Sequence, residues 1–271
     1  MSIKGHWHSD DRWCQETTHR FATRDSYLYH ARVADPYFSL VVLCYRSGPN
    51  IIPFVEKMRQ ALARCAFTWE LVLVGNYIEG SEDETPQVIA ELAEKIPNVR
   101  TVIRPKEGMM GWDMRMGLNA ARGTYIGVID GDGQFPPESI IACLLKAELE
   151  NLDLTKTYRV VRDDGLYRRI ISWVYNVLFK LLFGFTVRDI NSKPKIIRGD
   201  KYQLMNLQSN DWFADAEIII RARELGLTVG ETPVHFKSND TRGSFVKPVV
   251  ILEFTANLLR YRFPRKAQKR S

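Results

Sequence analysis

The sequence predicts an α/β domain: a mostly parallel sheet with helices on both faces. Three observations predict it. Short apolar runs recur at Phe38–Cys44, Trp69–Val74, Val99–Ile103 and Tyr125–Ile129, as strands buried on both sides do. Between them lie segments with apolar residues at helical spacing, the pattern of crossover helices. The chain has 271 residues with 45% hydrophobic content, enough to bury a full core.

Residues 1–36 read as a polar N-terminal arm. They hold His6, His8, His19 and His30 with scattered aromatics. No carboxylate or cysteine pattern completes a metal site around His6 and His8. Met1 to Asp11 has no apolar core, so no secretory leader is expected. Four cysteines are widely spaced, without a CxxC pair, and read as reduced thiols in a cytoplasmic setting.

After the first strand, Ser47 to Asn50 make a turn. A helix over Pro53–Cys65 places Phe54, Met58 and Leu62 on one face. Beyond the second strand, Pro86 starts a helix that buries Val88, Ile89, Leu92 and Ile96. Arg104 to Gly123 reads as a loop running into a short helix. Its glycines suit either a closing loop or simple turns.

The next strand ends on Asp130 and Asp132, spaced by Gly131, before Pro136, Pro137 and the new helix at Glu138. Carboxylates at a buried strand end are costly without a cation. In α/β sheets that end is where ligands sit. Mg²⁺ and Mn²⁺ take oxygen ligands and share them with phosphates. The pair is therefore expected to address a divalent metal on a phosphate-rich substrate. The net charge of +6 suits an anionic partner.

Arg159 to Arg169 is densely cationic, and arginine pairs bidentately with phosphate. Ile170 to Val187 is the most hydrophobic segment, too short and too interrupted by Asn176 and Lys180 to span a bilayer. It reads as a buried core helix or as an interfacial helix over about 166–185. We favour the interfacial reading, with Trp173, Phe179 and Phe183 in the acyl boundary. A helix follows Trp212, then a strand at Gly230–Val234. Residues 246–271 form an amphipathic segment and a basic tail suited to anionic lipid. No stacking or recognition-helix motif supports nucleic acid.

The segment Gly117-Leu118-Asn119-Ala120-Ala121-Arg122-Gly123-Thr124-Tyr125-Ile126, followed by Asp130-Gly131-Asp132-Gly133-Gln134-Phe135-Pro136-Pro137-Glu138, resembles glycosyltransferase family 2. Within it the likeness is to the dolichol-phosphate mannosyltransferase type, the polyprenyl-phosphate glycosyltransferases. The resemblance implies a Rossmann-like GT-A fold over 37–245, a nucleotide-sugar donor, Mg²⁺ or Mn²⁺, inversion at the anomeric carbon and a polyprenyl phosphate or other lipid acceptor at a membrane surface. It implies donor contacts at Tyr45, Asn76, Asp83, Arg104 and Asp130. Metal contacts fall on Asp130, Asp132 and Gln134. Phosphate contacts fall on Arg159, Arg162, Arg168, Arg242 and Ser244. Catalytic or positioning roles fall on Asp132, Gln134, Asp189, Asp215 and Glu217. Asp215 or Glu217 would be the base if the acceptor were a hydroxyl.

The chain departs from the pattern in four places, one of them Thr241-Arg242-Gly243-Ser244, where Ser244 follows Gly243 directly in place of Arg-x-Gly-x-Ser. The first strand keeps only Tyr45 of the usual Pro-x-Tyr-Asn-Glu. Gly75-Asn76-Tyr77 replaces Asp-Asp-Gly-Ser. Lys193 stands where glycine is usual in Asp-x-x-Ser-Gly-Phe-Arg. A hydroxyl-directed transferase, or a degenerate membrane-binding homologue, are the alternatives these departures leave.

Overall fold

The computed structural model describes residues 35–162, 166–185, 187–237 and 256–263, with backbone alone at 162 and 166–168. The expectations for residues 1–34, Arg242, Ser244 and 264–271 of the basic tail lie outside the described residues, as do those for the Arg162 and Arg168 side chains; of the C-terminal segment, 256–262 is helical and buries Leu258.

Seven strands form one sheet: β1 Phe38–Leu43, β2 Trp69–Val74, β3 Val99–Val102, β4 Tyr125–Asp130, β5 Leu154–Arg162, β6 Lys195–Arg198 and β7 Val229–Phe236. The order is β3-β2-β1-β4-β6-β5-β7. All neighbours are parallel except that β6 runs against β4 and β5. The helices are α1 Ile51–Leu62, α2 Thr85–Lys95, α3 Met110–Ala120, α4 Glu138–Leu149, α5 Leu166–Phe183, α6 Gly199–Met205 and α7 Ala214–Glu224.

Every residue of β1 is buried. Side chains alternate across a pleated strand, so one strand feeds two cores. Val41 and Leu43 join Val72, Val74, Met114, Phe179 and Ile219 on the α3, α5 and α7 side. Leu40 and Val42 join Leu71, Leu73, Phe54, Met58, Ile89 and Leu144 on the α1, α2 and α4 side. Helices thus cover both faces, as the buried runs require.

Gly117 decides how close α3 lies. A Cβ there would come within 2.3 Å of Val41 Cγ1 and 2.7 Å of Val74 Cγ2. In the 104–111 loop both glycines lie against backbone: a Cβ at Gly108 would come within 2.8 Å of the Asn210 carbonyl. A Cβ at Gly111 would come within 2.3 Å of the Asp211 carbonyl, and Gly111 N donates to that oxygen at 3.0 Å. These glycines let the start of α3 dock on the 209–211 backbone.

Two strands depart from the sequence reading. β5 occupies the start of the basic stretch, and β6 lies within a segment not read as a strand. Lys156 in β5 and Lys195 in β6 are fully buried, so polar residues hide the apolar period.

Candidate active site

Strand register builds the site. Leu43 is level with Val74 on one side and Asp130 on the other. The residues just beyond them, Tyr45, Asn76 and Asp132, therefore gather at the carboxyl edge of the parallel strands, where ligands of such sheets bind. Gly131 keeps the chain in line: its N donates to the Leu43 carbonyl at 2.9 Å, and a Cβ would meet Ile51 Cδ1 at 2.6 Å.

Asp132 Oδ1 accepts from Gln134 N at 3.1 Å, a turn that starts the approach to α4. Gln134 Nε2 donates to the Lys237 carbonyl at 3.0 Å, and Lys237 N donates to the Gln134 carbonyl at 3.0 Å. The glutamine therefore links the turn to the end of β7. Asp130 and Asp132 offer hard carboxylate oxygens, the donor chemistry that fits Mg²⁺ or Mn²⁺. Among the described residues no cluster of three or more His, Cys, Asp or Glu side chains forms a metal site. Further ligands would come from a substrate.

The reversed strand brings a cation to this pair. The loop entering β6 carries Lys193, whose Nζ lies 3.3 Å from Asp130 Oδ2 and 3.0 Å from Asp215 Oδ2. Lys195 reaches the other oxygen of Asp215. Both lysines and Asp215 are buried. Burial alone would push the Asp215 carboxyl up, but Lys193 and Lys195 outweigh it and hold it below the usual range. Burial, with Lys193 and Lys156 nearby, pushes the Lys195 ammonium down to about 8 against the pull of Asp215. Sequence reading placed Asp215 in the site but missed the two lysines that bind it. The only signal was the odd Lys193 at a glycine position.

Asp189 sits at φ 59. Its carboxylate accepts from Arg159 Nε at 2.5 Å and Nη2 at 2.7 Å. The guanidinium also lies 5.0 Å over the Phe236 ring. Arg159, expected to contact phosphate, is a cation whose position Asp189 fixes. Glu217 is spent on backbone: its two oxygens accept from Gln208 N and Ser209 N, each at 2.8 Å. It clamps the loop on which α3 docks.

On the other side of Asp130 lies the region expected for the nucleotide. Asn76 is 1% exposed. Its Nδ2 donates to Asp113 Oδ1 at 2.9 Å and its Oδ1 accepts from Arg104 N at 3.0 Å. Asp113 also pairs with Lys106. Burial pushes the Asp113 carboxyl up, with Lys106 and Asn76 opposing. The Lys106 ammonium lies 4.3 Å over the Tyr45 ring. Arg104 contributes its backbone here, and its side chain is exposed. Lys106 and Asp113 are site residues the sequence reading missed, since neither belongs to a motif. Asp83 Oδ1 accepts from Thr85 N at 3.0 Å, and Thr85 Oγ1 accepts from Gly48 N at 2.9 Å. Asp83 Oδ2 is buried without a partner, an acceptor that suits a ligand hydroxyl or N–H.

Comparison with known proteins gives consistent matches. The description "Glycosyl transferase family 2" matches residues 39–209. A dolichyl-phosphate beta-glucosyltransferase of Trichomonas vaginalis is 25% identical over 244 residues, covering 84% of this chain and 73% of the relative. A dodecaprenyl-phosphate galacturonate synthase of Rhizobium johnstonii is 31% identical over 165 residues, covering 59% of this chain and 47% of the relative. Among solved structures, glucosyl-3-phosphoglycerate synthase of Mycobacterium tuberculosis with uridine diphosphate aligns at TM-score 0.64 and 17% identity, covering 86% of this chain and 82% of that one. The same enzyme with Mn²⁺, UDP-glucose and phosphoglyceric acid aligns at TM-score 0.61 and 16% identity, covering 84% and 79%. That likeness is one of fold, the GT-A arrangement of strands and helices. Since the matched residues run from β1 past β6 and include the edge that carries Tyr45, Asn76, Asp130 and Asp132, the chain belongs to glycosyltransferase family 2.

Proposed function

We propose that this chain moves a sugar from a nucleotide diphosphate sugar to a polyprenyl phosphate at a membrane surface, with inversion at the anomeric carbon. One observation carries the choice of acceptor. The three carboxylates expected near it are all engaged: Asp189 by Arg159, Asp215 by two lysines, Glu217 by two backbone amides. A hydroxyl acceptor needs a general base. A phosphate is already anionic near neutral pH and needs none. The lipid-phosphate enzymes among the relatives support the same acceptor class.

In this reading Asp130 and Asp132 hold the metal, which offsets the charge of the departing diphosphate. Tyr45, Lys106 and Asp83 face the nucleoside. Lys193 and Arg159, held in place by Asp130, Asp215 and Asp189, would offer pre-placed N–H donors to the acceptor phosphate. Arg162, Arg168, Arg242 and Ser244 remain candidates for the acceptor phosphate.

Helix α5 supports the membrane. Contrary to the acyl-boundary expectation, Phe179 faces the core with Tyr175 and Phe183 packs against it, while Trp173 is exposed with Ile170, Val174, Val177 and Leu181 at helical spacing. Among the described residues no helix is long and apolar enough to cross a membrane. The chain then lies on the surface, with α5 in the interface. We place it on the cytoplasmic face, which the free thiols Cys44, Cys65 and Cys143 suit. The C-terminal basic segment would add electrostatic contact.

The test is transfer from a panel of UDP-, GDP- and dTDP-sugars with Mn²⁺ to a short polyprenyl phosphate, beside a polyprenol and a soluble saccharide. Transfer to the phosphate alone is expected. Transfer only to a hydroxyl would overturn the reading.

A further inference from the structure

We propose that Lys193 is a built-in counter-ion for Asp130 that keeps divalent metal weakly bound until a diphosphate arrives. This rests on the reading of Asp130 and Asp132 as the metal pair. Lys193 Nζ lies 3.3 Å from Asp130 Oδ2, and its side chain is 5% exposed. It is therefore a placed charge, not a solvated one that drifts away. Asp215 binds Lys195 as well, so Lys193 is not the sole answer to the Asp215 charge. Lys193, Lys195, Asp130 and Asp215 together sum to zero.

A divalent cation on Asp130, whose side chain is 32% exposed, must share that carboxylate with a buried ammonium. Like charges on one carboxylate repel, and the fixed ammonium cannot move out into water to relieve it. A diphosphate supplies the missing negative charge and lets metal and ammonium coexist. Metal and diphosphate binding are thereby coupled, each strengthening the other. Lys193 stands where the pattern that this chain resembles has glycine. The coupling is a property of this chain's own lysine.

The test is a Mn²⁺ titration of the full chain, by calorimetry and by electron paramagnetic resonance of free Mn²⁺, with and without UDP. Lys193→Met should bind Mn²⁺ at least about tenfold more tightly than the native chain without UDP, and gain less when UDP is added. Equal or weaker binding in Lys193→Met would overturn the proposal. A purely structural lysine would move thermal stability and leave the metal affinity unchanged. Should Lys193→Met not fold, Lys193→Gln keeps a donor for Asp215 and carries the same comparison. Asp130→Asn in the Lys193→Met background separates the two levels. If it abolishes Mn²⁺ binding while Lys193→Met matches native, only this inference fails. If tight binding survives Asp130→Asn, the metal is not at Asp130 and the site reading itself fails.

Discussion

Asn76 and Asp113 meet in a buried contact, the amide Nδ2 donating to the carboxylate Oδ1 at 2.9 Å. The amide and the Lys106 ammonium together let a carboxylate sit there. Asn76→Asp would set two acids against each other and lose the donor. We expect a loss of about 2–3 kcal/mol in urea unfolding, with Lys106 absorbing the rest. An unchanged midpoint would mean that the pair does not carry this contact.

Arg159 and Asp189 hold each other at two points, with side chains 11% and 12% exposed. Asp189→Asn keeps a residue type that tolerates the positive φ but removes the charge. The expected cost is about 2–3 kcal/mol, measured by chemical denaturation. Asp189→Ala should cost more, since it adds backbone strain.

The Asp215 carboxyl is held below its ordinary range by Lys193 and Lys195 against the effect of burial. Its folded value lies below its unfolded one, so unfolding takes up a proton between the two. Stability from this contact is complete above about pH 4 and is lost as pH falls through the folded value. Asp215→Asn should flatten that acid limb. At neutral pH it should cost about 3–5 kcal/mol, because two buried ammoniums lose a partner. Unfolding midpoints across pH 2.5–7 for both proteins check the sign, with that range being roughly the titration span of carboxylates.

Asp132→Asn should leave thermal unfolding within a few degrees and lower sugar transfer by about a hundredfold or more, as loss of a charge-stabilising ligand does. Chelation of the native chain should match it. Full activity in either case would remove the metal from the reaction.

Trp173 is 67% exposed and Leu181 76% exposed on the outer face of α5. Replacing both with Asp should leave folding intact and cut sedimentation with anionic vesicles by about tenfold or more. If binding is unchanged, the membrane contact lies elsewhere on the chain.

The sheet was legible where strands were apolar. β1, β2 and β4 fall where Phe38–Cys44, Trp69–Val74 and Tyr125–Ile129 predicted. β5 and β6 were not legible, because a strand carrying Lys156 or Lys195 looks exposed and becomes buried only through partners distant in sequence. Lys156 finds the Arg188 carbonyl and Glu231, Lys195 finds Asp215. The site divides the same way. Asp130 and Asp132 follow from a local motif at a strand end. Lys193, Lys106 and Asp113 reach the site through long-range packing, which no local spacing encodes. Glu217 shows the converse: an acid in the right motif, taken up by the Gln208 and Ser209 amides.

The reversal of β6 has an electrostatic consequence. A parallel strand at that position would present its start at the far end of the sheet. Running backwards, β6 delivers the segment before it, with Asp189 and Lys193, to the edge where Asp130 stands. The charge at the centre therefore depends on the direction of one strand: a parallel strand here would carry its entry segment, and the Lys193 ammonium, away from Asp130.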